Sequence, residues 1–191
     1  MDVAVSPTEQ YFGWRLRLLA FCLLLLSVPC LAQAEAPINL ADQRAKAVTQ
    51  VVLGILSYAR WPSEPAQLQL CIIGPTEYTD DLLKGATQSS GRPVQVHRVL
   101  ASDPGIASDC NAVYLGKLSV EERSGLFTRL NTKAVLSISE DSDQCTVGSL
   151  FCLHVRDKQV SFEVNLDSVA RSGVRIHPSV LQLSRRRAAE P

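Results

Sequence analysis

The residues of this chain with the chemistry for catalysis or metal binding are few: three histidines, six cysteines and one run of acids. His97, His154 and His177 adjoin no Gly-x-Ser-x-Gly or His-Glu-x-x-His spacing, the patterns that expose a nucleophile on a tight elbow or put two zinc ligands on one helix face. His97 falls on one face of an alternating strand, His154 within a hairpin and His177 before a proline, so each reads as structural or exposed. The acidic run Glu140-Asp141-Ser142-Asp143 lacks the spacing and the glycine of a calcium loop and reads as a solvated turn. Gly74-Pro75 closes an apolar run as a turn, not as a phosphate loop. No catalytic residue, metal or cofactor is therefore predicted.

The polar residues that remain of interest lie in 159–183. Val160, Phe162, Val164 and Leu166 alternate with Ser161, Glu163 and Asn165, the period of a strand with one apolar face. Asp167 or Ser168 is placed to cap a short helix that Gly173 ends, and Pro178 to sit in the first turn of another. If the strand lies near a sheet edge, Glu163 and Asn165 face solvent or a partner. If helices cover it, both must be hydrogen-bonded, because unpaired burial costs a few kcal/mol. Glu163 with Arg171 and Arg175 forms a candidate contact surface. Trp61 has two readings, a partner anchor or, the favoured one, packing of a helix end onto the sheet.

The start of the chain predicts export. Arg15 and Arg17 precede an apolar stretch, 18–28, too short to span a bilayer comfortably, and Ala32-Gln33-Ala34 is a small-residue cleavage site. Residues 1–34 read as a cleaved signal peptide and 35–191 as one domain. The formal net charge of zero argues against a general nucleic-acid or anionic-membrane surface. Cys71, Cys110, Cys145 and Cys152 follow the signal and allow three pairings, and an oxidising compartment favours disulfides. Cys145 and Cys152 flank a short polar turn and can close a local loop, which leaves Cys71 to pair with Cys110. A zinc set of Cys145, Cys152 and His154 matches no common ligand spacing.

The elements that must position these residues follow in order. Asp42 is placed to cap a helix carrying Val48, Val51, Val52, Ile55 and Leu56, which stops before Trp61-Pro62. Strands are predicted at 68–73, 94–100, 112–115 and 134–139, with a helix opened by Thr76 or Thr79 and another capped by Ser119, with Glu122 completing a capping box. The segments 150–155 and 160–166 form a hairpin. Alternating strands and helices predict a single α/β domain, with a mixed, mostly parallel sheet, helices on both faces and a C-terminal β-hairpin.

Four segments resemble one family. Tyr58-Ala59-Arg60-Trp61-Pro62 looks like its Trp-Pro signature and Leu70-Cys71-Ile72-Ile73-Gly74 like its first strand. Cys110-Asn111-Ala112-Val113-Tyr114-Leu115 resembles its cysteine-led strand, and Phe162-Glu163-Val164-Asn165-Leu166 with Arg171-Ser172-Gly173 resembles its closing signature. The family is that of the YfiR-like periplasmic proteins. The resemblance implies a periplasmic homodimeric repressor, not an enzyme, with disulfides that matter for stability. It would bind the periplasmic domain of a YfiN-type inner-membrane diguanylate cyclase and be sequestered by a YfiB-type outer-membrane lipoprotein. Cyclic-di-GMP, exopolysaccharide and biofilm would follow. Arg60, Trp61, Glu163, Asn165, Arg171 and Arg175 are the partner-binding candidates. The segment 46–52 lacks aromatic and asparagine residues common in wider relatives, and Arg185-Arg186-Arg187 is unusual for the family and reads as a solvated tail. The alternative is a periplasmic small-ligand sensor or transport component, with its ligand at the carboxyl ends of the strands.

Overall fold

The computed structural model describes residues 39–140 and 148–183. The signal-peptide reading of 1–34, Cys145, most of the acidic run and Arg185-Arg186-Arg187 lie outside the described residues.

Helix α1 (Leu40–Ser57) buries Val48, Val51, Val52, Ile55 and Leu56, the stripe that its 3.6-residue period dictates. Its cap is Asn39 rather than Asp42: the Asn39 side chain accepts a 2.8 Å hydrogen bond from the Asp42 amide. Asp42 falls instead in the first turn, where its charge suits the helix dipole. After Ser57 the chain turns into a two-residue strand, β1 (Ala59–Arg60), and then β2 (Leu68–Ile73).

The helix expected after Gly74-Pro75 is absent. A single 3-10 turn, Leu82–Lys84, ends at Gly85 and leads to β3 (Ala86–Thr87) and β4 (Pro93–Val99). Thr76 and Thr79 do not act as helix caps. Their hydroxyls lie 2.6 Å apart and both accept from the Arg98 guanidinium, at 2.9 and 3.1 Å. A helical turn unseen in the sequence, α2 (Ile106–Asp109), precedes β5 (Ala112–Leu115). Helix α3 (Val120–Leu130) has the expected capping box of Ser119 and Glu122, and β6 (Leu136–Ser139) follows. The hairpin is β7 (Phe151–Arg156) and β8 (Gln159–Val164), with Asp157 left-handed at its turn. Helix α4 (Leu166–Ser172) ends at Gly173 in the left-handed region, where a side chain is disfavoured. Next come β9 (Arg175–Ile176) and a 3-10 turn, Pro178–Val180, with Pro178 in its first turn.

Seven strands form one sheet in the order β3-β4-β2-β5-β6-β7-β8. The inner pairs are parallel, and β3 and β8 are antiparallel edges. Alternation along the buried strands splits the core in two. Leu68, Leu70, Ile72 and Tyr114 pack with α1, while Cys71, Ile73, Val113 and Leu115 pack with Ile106 of α2 and Leu126 and Leu130 of α3. The expected α/β domain with both sheet faces covered is the one observed. Separately, β1 and β9 pair antiparallel, Ala59 opposite Ile176 and Arg60 opposite Arg175.

Cys71 and Cys110 are joined, with Cα atoms 5.9 Å apart. The bond ties β2 to the C-terminal cap of α2. Cys152 is also disulfide-bonded, which removes it from any zinc set.

Candidate functional site

The carboxyl ends of β2, β5 and β6 meet where the chain order changes direction, from β4 on one side of β2 to β5 on the other. Open α/β sheets hold ligands in this crevice. Gly116, just after β5, fits because a Cβ there would lie 1.8 Å from the Pro75 carbonyl oxygen. Glu140, just after β6, reaches into the gap so formed. Its carboxylate accepts from the Glu77 amide at 2.6 Å, the Tyr78 amide at 3.3 Å and the Tyr114 hydroxyl at 2.8 Å. Burial raises the Glu140 pKa, and the three hydrogen bonds oppose that rise. Burial also lifts the Tyr114 phenol well above its ordinary value, with the Glu140 charge adding to the effect. Glu140 is therefore no solvated turn residue. It takes the donors that a ligand anion would use. The signal for it was Tyr114, a phenol inside an otherwise apolar strand that had to find a partner.

A second candidate lies on the small β1–β9 sheet. Register places Arg60 directly opposite Arg175, both exposed. The Arg60 guanidinium donates to the Ser57 and Ala59 carbonyls at 2.9 and 2.7 Å. Among the described residues neither arginine has an ion-pair partner. Like charges facing each other across a strand pair destabilise it. Tyr58 stacks with His177 beside them, ring centroids 6.2 Å apart. The His177 ring also accepts from the Ser179 amide at 3.2 Å and caps the following turn. Trp61 is buried beneath, donating from its indole nitrogen to the Asn111 carbonyl at 3.0 Å, which is the packing geometry.

The third candidate is the outer face of the hairpin. Edge strand β8 presents Glu163, its side chain 75% exposed, on the face it shares with Cys152 and His154. Glu163 Oε1 lies 3.2 Å from His154 Nε2. That is ion-pair distance without the angle of a hydrogen bond. Glu163 makes no ion pair with Arg171 or Arg175 among the described residues. Asn165 caps α4 in place of Asp167 or Ser168: its side chain accepts from the Ser168 amide at 3.0 Å. The grouping of Glu163 with Asn165 on one strand face therefore separates into an exposed acid and a helix cap.

Among the described residues no helix is long and apolar enough to cross a membrane. A family profile described as YfiR/HmsC-like matches residues 45–185, from the first buried turn of α1 to beyond the last described turn. That span takes in all three candidate surfaces and most of the sequence, and the chain belongs to the YfiR/HmsC-like family.

Proposed function

We propose that this protein is a periplasmic repressor of cyclic-di-GMP signalling that acts by binding. It holds a YfiN-type diguanylate cyclase inactive through the periplasmic domain of that enzyme. A YfiB-type outer-membrane lipoprotein relieves the inhibition by sequestering it, and the repressor works as a homodimer. Family membership supports the regulatory role in general terms. The observation that carries the binding mode is the facing pair Arg60 and Arg175, exposed and, among the described residues, without an ion-paired acid. A partner carboxylate placed between them relieves their repulsion and gains charge-assisted hydrogen bonds. Glu163, on the outer face of the hairpin, and Arg171 are separate candidate contacts, while Trp61 and Asn165 hold neighbouring segments in place. The alternative, a small-ligand sensor with its ligand in the cavity of about 350 Å³ beside Glu140 and Gly116, is less favoured because the Glu140 carboxylate already takes the Glu77 and Tyr78 amides and the Tyr114 hydroxyl.

Deleting the protein is expected to raise cyclic-di-GMP and biofilm only in cells that retain the cyclase. Replacing both arginines, Arg60→Glu with Arg175→Glu, is expected to reproduce the deletion while thermal unfolding stays unchanged. An unchanged nucleotide level in the deletion strain would sink the regulatory reading. Full repression by the double variant would remove the arginines from the interface.

A further inference from the structure

Cys71 stands opposite His97 in the parallel pairing of β2 with β4, and Cys71 Sγ lies 3.4 Å from His97 Nε2. The sulfurs of Cys71 and Cys110 and a ring nitrogen of His97 all lie within 4.8 Å of one another. Both cysteines are buried and His97 is half-buried on a stretch of β4 that β3 does not cover. A disulfide has no proton to share and is a weak acceptor, so an imidazole gains little against it. A branched apolar side chain would fill that place beside the core at less desolvation cost. Two thiolates and an imidazole nitrogen are, by contrast, a donor set selective for thiophilic metals.

We propose that Cys71, Cys110 and His97 form a binding site for a thiophilic divalent ion of the zinc class when the cysteines are reduced. Metal and disulfide are then mutually exclusive occupants of one place. Reduction by a dithiol breaks the S–S bond. The two electrons come from the dithiol, which becomes a disulfide, and its two protons pass to the Cys71 and Cys110 sulfurs. Metal binding displaces those two protons to solvent and forms two metal–sulfur bonds and one metal–nitrogen bond. Solvent at the half-buried His97 side supplies the fourth position. Zinc–sulfur bonds of about 2.3 Å set the thiolates a little under 4 Å apart. Cα atoms 5.9 Å apart accommodate that by side-chain rotation. The ion closes the same loop as the disulfide and adds a tie to β4.

The test uses the purified protein carrying Cys145→Ser and Cys152→Ser, so that only the Cys71 and Cys110 thiols remain after the signal segment. Cobalt is titrated into the oxidised and the phosphine-reduced forms under anaerobic conditions, and thiolate-to-cobalt charge transfer is recorded. Stoichiometric uptake is expected by the reduced form only, with displacement by zinc. Removing the nitrogen ligand in His97→Gln is expected to weaken binding by at least about tenfold, the scale on which even outer-shell changes act. Zinc is also expected to raise the melting temperature of the reduced protein but not of reduced His97→Gln. The proposal is overturned if the reduced protein takes up no cobalt, or if uptake is independent of His97. A reduced chain that binds cobalt only after unfolding gives that second result.

Discussion

Glu140 holds a carboxylate among three donors and, among the described residues, beside no ion-pair partner. Its folded-state pKa is raised, chiefly by burial. Between the ordinary glutamate value and the raised one, the folded chain keeps a proton that the unfolded chain releases. Unfolding free energy then falls as pH rises through that window, and the contribution is fully present only below it. The stability of the native protein relative to Glu140→Gln is therefore expected to decline across the weakly acidic range. Urea denaturation of both proteins at a series of pH values checks this, and a flat difference would refute it. Such a residue is hard to find in a sequence. Glu140 looks like the first of four turn residues until the end of β6 is set beside the turn after β2, far away in the chain. Ser119 with Glu122 was legible because both partners of that contact lie within one turn. The Arg98 clasp on Thr76 and Thr79 was not, because it depends on which strand lies next to which.

Elements follow the same division between near and far. The long amphipathic helix, the buried strands and the hairpin were readable from period and turn residues. The predicted helix after Pro75 failed because its threonines had another use and its only buried leucine is Leu82. β1 and β9 were invisible, since two residues carry no period and acquire strand geometry only from each other. Helix α4 was anticipated, but its cap was misassigned by two or three residues. That difference turns Asn165 from a surface contact into a stabilising group. Asn165→Ala is expected to destabilise the protein by about 1 kcal/mol, with Asn165→Asp restoring most of the loss. Thermal or urea unfolding of the two variants reads the difference. No effect of the alanine would mean that α4 is held by packing alone.

For the molecule as a whole, the α/β class and the Cys71–Cys110 link were legible, because apolar runs and cysteine spacing survive without knowledge of contacts. The candidate contact surfaces were not, because exposure and charge pairing are properties of the assembled chain. Cys110→Ser, with metal chelated, is expected to lower the unfolding free energy by up to about 4 kcal/mol, the chain-entropy value for a loop of this length. Denaturant titration of the native and variant proteins measures it. A loss below about 1 kcal/mol would show that the unfolded chain is little constrained by the link. The small β1–β9 sheet has a consequence in time rather than in energy. Its strands come from opposite ends of the described chain, and the Tyr58 carbonyl also accepts from the His177 amide. A chain that folds as it is delivered cannot complete this ladder until its last segment has arrived. Arg60 then meets Arg175 only on finished molecules, so a prematurely ended chain, however well its main sheet forms, never acquires that surface.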